Sequence, residues 1–190
     1  MSIRSIAATE RLDNISDSDH VLFLAGPIQG ARDWHSEAIS VAEEKFADTN
    51  LIVASPNSFA GKGSKSFSYE NQVTWEIEHL KRAAQLGCIL FYFAEQEYEV
   101  VKPDTEFARP YGQTTAKEVM MWWTLKMNNP ILDLVLAFEP KSVGAKYLRH
   151  LNGETLPEIP IVETGLRDAV ELSGQIALVS NFSQISLNND

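Results

Sequence analysis

Basic residues are scarce in this chain of 190 residues: 16 Lys and Arg stand against 26 Asp and Glu, a formal charge of -10 with a pI near 4.9. That balance argues against a nucleic-acid backbone or an anionic membrane surface as the main partner, so a small molecule or another protein is expected. Cysteine is nearly missing. The single thiol, Cys88, cannot build a disulfide framework, and its place in an apolar run reads as a buried, inert side chain. Four histidines and one cysteine show no metal-ligand spacing, so neither a metal nor another cofactor is expected. No apolar run approaches the ~20 residues that cross a bilayer, and the first 20 residues lack the apolar core of a signal peptide. A soluble, cytoplasmic protein is the expectation. Also missing are a G-x-G-x-x-G fingerprint, a Walker loop and any internal repeat, which weakens dinucleotide and triphosphate readings.

What is present is an alternation. Short, nearly all-apolar runs at 21–25, 51–54, 89–93, 131–138 and 159–162 read as strands buried on both faces. Between them lie segments with helical spacing at 33–46, with Asp33 as N-cap, and at 69–86, with Val73, Ile77, Leu80 and Ala84 on one side. Further helices are read from about Thr115 to Met127, at 141–151 and at 165–172. The helix after Thr115 is apolar almost all round, which predicts burial inside the domain or against another subunit. The pattern predicts an α/β fold, one parallel sheet of about five strands with helices on both faces. Residues 1–20 read as an extension, 21–172 as the domain, and 173–190 as a tail or arm; 58–68 reads as an exposed loop and 94–110 as acidic and irregular. In such sheets ligands bind beyond the carboxyl ends of the strands. The loops at those ends are 26–32, 55–68, 94–113 and the stretch after Phe138.

Three segments carry candidate chemistry. Gly26, Pro27, Gln29, Gly30 and Arg32 follow the first of these strands in a loop that opens a helix and are candidates to bind substrate; the backbone N–H groups of the loop could face a sugar or phosphate, with Arg32 the candidate for a 5'-phosphate. Gln72 and Glu76 stand one helical turn apart, with His79 three residues further on and read as structural or solvated. Tyr111-Gly112-Gln113-Thr114-Thr115-Ala116-Lys117-Glu118 places a carboxylate on the first turn of a helix, where unpaired N–H groups favour its ionised form. The same T-x-x-E spacing fits a capping box, with Thr115 as N-cap and Glu118 reaching back to it.

Taken together, Phe23-Leu24-Ala25-Gly26-Pro27 with Trp34, Gln72-Val73-Thr74-Trp75-Glu76 with His79-Leu80, and Thr115-Ala116-Lys117-Glu118 resemble the nucleoside 2-deoxyribosyltransferase superfamily over residues 21–138. The resemblance implies a flavodoxin-type sheet and an active site often completed by a neighbouring subunit, hence a homo-oligomer. It implies that Glu118 attacks the anomeric carbon of a deoxyribose, that Glu76 holds sugar hydroxyls or assists proton transfer, and that the 26–32 loop lines the sugar side. One position departs from the pattern: Gly112 stands where better-characterised transferases carry an aspartate that contacts the nucleobase, leaving Arg109, Tyr111 or Gln113 as neighbours for that task. The chemistry is coherent by itself, because a carboxylate beneath an anomeric carbon stabilises an oxocarbenium-like state or forms a glycosyl ester. Transfer results if a second base enters, hydrolysis if water does. The expected activity is deoxyribose transfer between nucleobases. The alternatives are hydrolysis of deoxynucleoside 5'-monophosphates and a catalytically silent nucleotide-binding module.

Overall fold

The computed structural model describes residues 4–7, 15–59, 69–97, 100–101, 108–109 and 111–180. Six strands form one sheet: β1 (Arg4–Ala7), β2 (His20–Ala25), β3 (Leu51–Ser55), β4 (Gly87–Phe93), β7 (Leu134–Phe138) and β8 (Ile161–Val162). Their spatial order is β1-β3-β2-β4-β7-β8, and every pairing is parallel. Without β1, the order is that of a flavodoxin-like sheet. The sheet therefore has one strand more than the apolar pattern predicts. Residues 4–7, read above as part of an extension, pair with β3 at the sheet edge; four residues are too few for a period to show.

β2 and β4 are buried on both faces because alternate side chains serve different helical layers. Val21, Phe23, Ile89 and Phe91 pack with helices α2 (Tyr69–Gln85), α3 (Gln113–Asn128) and α4 (Ala145–Thr155). Leu22, Leu24, Cys88 and Leu90 pack with α1 (Trp34–Phe46) and α5 (Leu166–Val179). Burial pushes the Cys88 thiol well above its usual range, consistent with an inert side chain.

Four local readings change. The buried face of α2 carries Trp75, His79, Leu80 and Ala83, whereas Ile77 is exposed, because the Trp75 and His79 rings stack at 4.1 Å and take the inner side. α5 does not stop near residue 172 but continues to Val179. Its small residues are what bring it close to α1: a Cβ on Gly174 would lie 2.4 Å from the Phe46 ring. The acidic stretch after β4 contains a two-stranded antiparallel pair, β5 (Val100–Val101) with β6 (Ala108–Arg109). Along α3, Val119, Trp122 and Trp123 are buried while Met120, Met121, Leu125 and Met127 are exposed, so the helix is less enclosed than its composition predicts. Most of the exposed loop read at 58–68, and residues 181–190 of the predicted tail, lie outside the described residues; residues 56–59 form a short 3-10 turn.

The chain leaves β2 toward β3 on one side and later returns to β4 on the other, so the crevice of the fold opens above the carboxyl ends of β2 and β4. Gly26 stands at that point because nothing larger fits. A Cβ there would sit 2.3 Å from the Tyr92 carbonyl oxygen and 2.7 Å from Trp34 Cζ2. Gly26→Ala is therefore expected to cost roughly 2–4 kcal/mol of stability. Urea denaturation of the variant against the parent chain measures it.

Candidate active site

α2 and α3 both begin at the end of the sheet where the crevice opens, because each follows a strand or loop that ends there. Gln72 and Glu76 lie in the opening turns of α2, and Gln72 Nε2 donates to Glu76 Oε1 at 2.8 Å. Glu118 lies in the second turn of α3. The helix starts at Gln113 with Gly112 as its N-cap, in a left-handed conformation at φ 62° and with no side-chain cap. The structure thus corrects the boundary: Thr115 is the third helical residue, buried at 1% exposure, and is not the N-cap. The capping-box reading goes with it, since Glu118 sits three residues beyond the position from which a side chain reaches back to the cap.

Glu118 is half-buried, and its carboxyl is pushed up to about 7, first by burial and then by the negative charge of Glu76. Burial also raises Glu76, while the Gln72 amide pulls it back toward the charged form. Two carboxyls that feel each other in this way titrate as a pair, which passes from one proton to none near neutrality. A fold keeps such a costly arrangement where chemistry uses it or where packing imposes it.

The loop after β2 is held by its neighbours. Pro27 is buried, and its carbonyl accepts from Trp34 Nε1 at 2.8 Å. The Gly30 carbonyl accepts from the Glu97 N–H at 2.8 Å, while Gln29 is exposed. Arg32 does not reach into the crevice unaccompanied: Nε and Nη2 donate to Glu139 Oε1 at 3.0 and 2.7 Å, and Nη1 pairs with Glu37. Tyr111, just ahead of α3, donates its hydroxyl to the Ala94 carbonyl at 2.8 Å. Of the predicted residues, the structure brings Glu76, Gln72 and Glu118 into one electrostatic unit and ties Gly30, Arg32 and Tyr111 into the frame of the loops around it. Arg109 and Gln113 belong to β6 and the start of α3.

Sequence reasoning missed Glu139. It is the first residue after β7, a place already marked by the strand-end rule, but a single glutamate at the end of an apolar run carries no spacing signal. It also missed His35, which is buried with Nδ1 2.9 Å from Ser55 Oγ and held by burial near a pKa of about 3, hence neutral. His79 is buried too, with Nδ1 2.8 Å from the Trp75 carbonyl, and serves packing.

A cavity of about 330 Å³ lies at the opposite, amino-terminal end of the sheet, between Lys126, Asp133, Pro160 and Ser180. Of its polar groups, Lys126 Nζ donates to the Pro130 carbonyl at 2.6 Å and Ser180 Oγ to Asp133 at 2.5 Å, and it is no part of the carboxylate site. Among the described residues no group of three or more His, Cys, Asp or Glu side chains is arranged to hold a metal ion, and no helix is long and apolar enough to cross a membrane.

The fold and site define a single-domain α/β protein with a flavodoxin/Rossmann-like parallel sheet and a carboxylate pair at its switch-point end. No protein-family model matches the chain, and no curated protein matches it.

The pair leaves a measurable signature in stability. Glu118 binds its proton more tightly folded than unfolded, so stability is greatest below about pH 4.5 on this account and declines as pH rises through about 7. Glu118→Gln removes that loss. The variant is expected to exceed the parent by roughly 1–3 kcal/mol at pH 8, with the difference shrinking toward pH 4.5. Thermal or urea melts at the two pH values check it.

Proposed function

We propose that this protein is an N-glycosidic bond enzyme that acts on 2'-deoxynucleosides or their monophosphates and transfers deoxyribose between nucleobases through a glycosyl ester on Glu118. The observation that carries the reading is the carboxylate pair: Glu118, free of any cap, stands within electrostatic reach of Glu76 at the end of the sheet where this fold binds ligands. The motif resemblance described above supports the same assignment.

In the first step an ionised Glu118 oxygen forms a bond to C1' of the sugar as the bond from C1' to the base nitrogen breaks. The electron pair leaves with the base, which takes up a proton. Glu76 is the neighbouring acid for that proton, and Gln72, bound to one of its oxygens, orients the carboxyl and leaves the other oxygen for substrate. In the second step the nitrogen of an incoming base attacks C1' as its proton passes to the Glu76 carboxylate, the ester bond breaks, and Glu118 regains its charge; water in place of the base, also giving its proton to Glu76, gives hydrolysis. The leading role falls to a pair because one carboxyl must be charged while the other is protonated, which two interacting groups achieve near neutrality.

Replacing Glu118 with Ala or Gln is expected to reduce base release by on the order of 10³-fold or more, with the fold retained. The assay incubates a panel of deoxynucleosides and their 5'-monophosphates, with and without an acceptor base, and reads free base by chromatography. Full activity in the folded variant would remove Glu118 from the mechanism. The pH profile is a second check. The active form has Glu118 ionised and the one remaining proton on Glu76, so kcat/KM is expected to fall as pH rises through about 7, where the coupled pair gives up its last proton.

A further inference from the structure

Arg32 is the cation that the sequence offers to a phosphate, and the structure spends it on carboxylates. Its guanidinium meets Glu139 through Nε and Nη2 and Glu37 through Nη1, and Nη2 lies 3.4 Å from the Tyr92 hydroxyl. Glu139 in turn is fixed from three sides. The Tyr92 hydroxyl donates to Oε1 at 2.7 Å, the Glu95 N–H donates to Oε2 at 2.5 Å, and Arg32 holds Oε1. The Glu139 side chain is 15% exposed, against 33% for Arg32, so the acid is the better-anchored partner. Burial alone would raise the Glu139 carboxyl, but these donors bring it below the usual range and keep it charged.

The other anion-attracting feature of this loop is filled in the same manner. The N-terminus of α1, which would face a phosphate in many α/β proteins, is capped by Asp33, whose carboxylate accepts the Ser36 N–H at 3.2 Å and the Ser36 hydroxyl at 2.7 Å. The negative charges of Glu139 and Glu97 act on the Tyr111 hydroxyl, two residues ahead of α3. Among the described residues, then, the loop after β2 presents neither a free guanidinium nor an open helix terminus to an anion.

We propose that Glu139 sets the charge selectivity of the crevice: by holding Arg32 it favours the uncharged deoxynucleoside and disfavours the same molecule carrying a 5'-phosphate. This rests on the glycosidic reading above and narrows it. Glu139 touches no reacting atom; it is a specificity residue acting through Arg32.

The test uses the full chain, with deoxyadenosine, its 5'-monophosphate and inorganic phosphate as probes, and with titration calorimetry beside the base-release assay. The parent chain prefers deoxyadenosine. Glu139→Gln keeps the side-chain shape but not the charge, and it shifts the ratio of the two affinities toward the monophosphate by about tenfold or more. The shift vanishes in the double variant Glu139→Gln with Arg32→Gln, and it shrinks as salt rises. A purely structural role would weaken both probes by the same factor, so an unchanged ratio in a folded Glu139→Gln protein overturns the proposal. Arg32→Gln alone decides the matter if Glu139→Gln fails to fold. Equal effects on both probes support the proposal, and a selective tenfold loss of monophosphate binding overturns it, since Arg32 would then already serve the phosphate. Inorganic phosphate separates this proposal from the reading beneath it. Phosphate binding gained by Glu139→Gln in a chain that binds and cleaves neither nucleoside probe supports the role of Glu139 while the glycosidic function falls.

Discussion

Everything in this molecule follows from burying two strands, β2 and β4, on both faces at once. A strand of continuous apolar side chains such as Val21-Leu22-Phe23-Leu24-Ala25 has no side to give to water, so helices must cover the sheet above and below. Parallel neighbours connected by helices then bring the ends of β2, β3, β4 and β7 to the same edge. The loops that leave that edge carry polar groups that the core cannot accept. The apolar constraint thereby concentrates the charged chemistry in one place without any residue there having to specify it.

At that edge two kinds of carboxylate coexist, and their surroundings separate them. Glu139 has donors on both oxygens and stays charged, so it serves as a fixed counter-ion. Glu118 is burdened by burial and by Glu76 without a donor to offset either, and its proton is easily exchanged. The same side chain is held charged in the first setting and kept close to its protonated form in the second. The contrast explains why composition alone says little about such a site, as an acidic chain holds many glutamates and only their neighbours distinguish them.

The alternation of elements was legible in the sequence because strand and helix leave different periods, and α1 with its Asp33 cap matched residue for residue at its start. The carboxylates were legible as candidates because Glu76 and Glu118 lie on long helices in recognisable surroundings. Three things were hidden. The N-cap of α3 was misplaced by three residues, because Gly112 caps it through a left-handed backbone and Thr115 looked the more obvious N-cap. The inner face of α2 was rotated, because aromatic stacking of Trp75 and His79 outweighed the aliphatic stripe. The union of Arg32 and Glu139 spans 107 positions in the chain, and no local pattern reports an ion pair made by strand ends that meet only after folding.

The edge strand β1 carries one more consequence. Among the described strands it precedes β2 and β3, yet its partner is β3, whose other side is already taken by β2. Closing the β1–β3 pair bridges more than forty residues, whereas α1 and the β2–β3 pair can form over shorter distances. During synthesis β1 must therefore wait for this pairing until β3 has emerged. The order in which this sheet is assembled is then not the order in which it is written, and β1 closes an edge that segments following it in the chain have built.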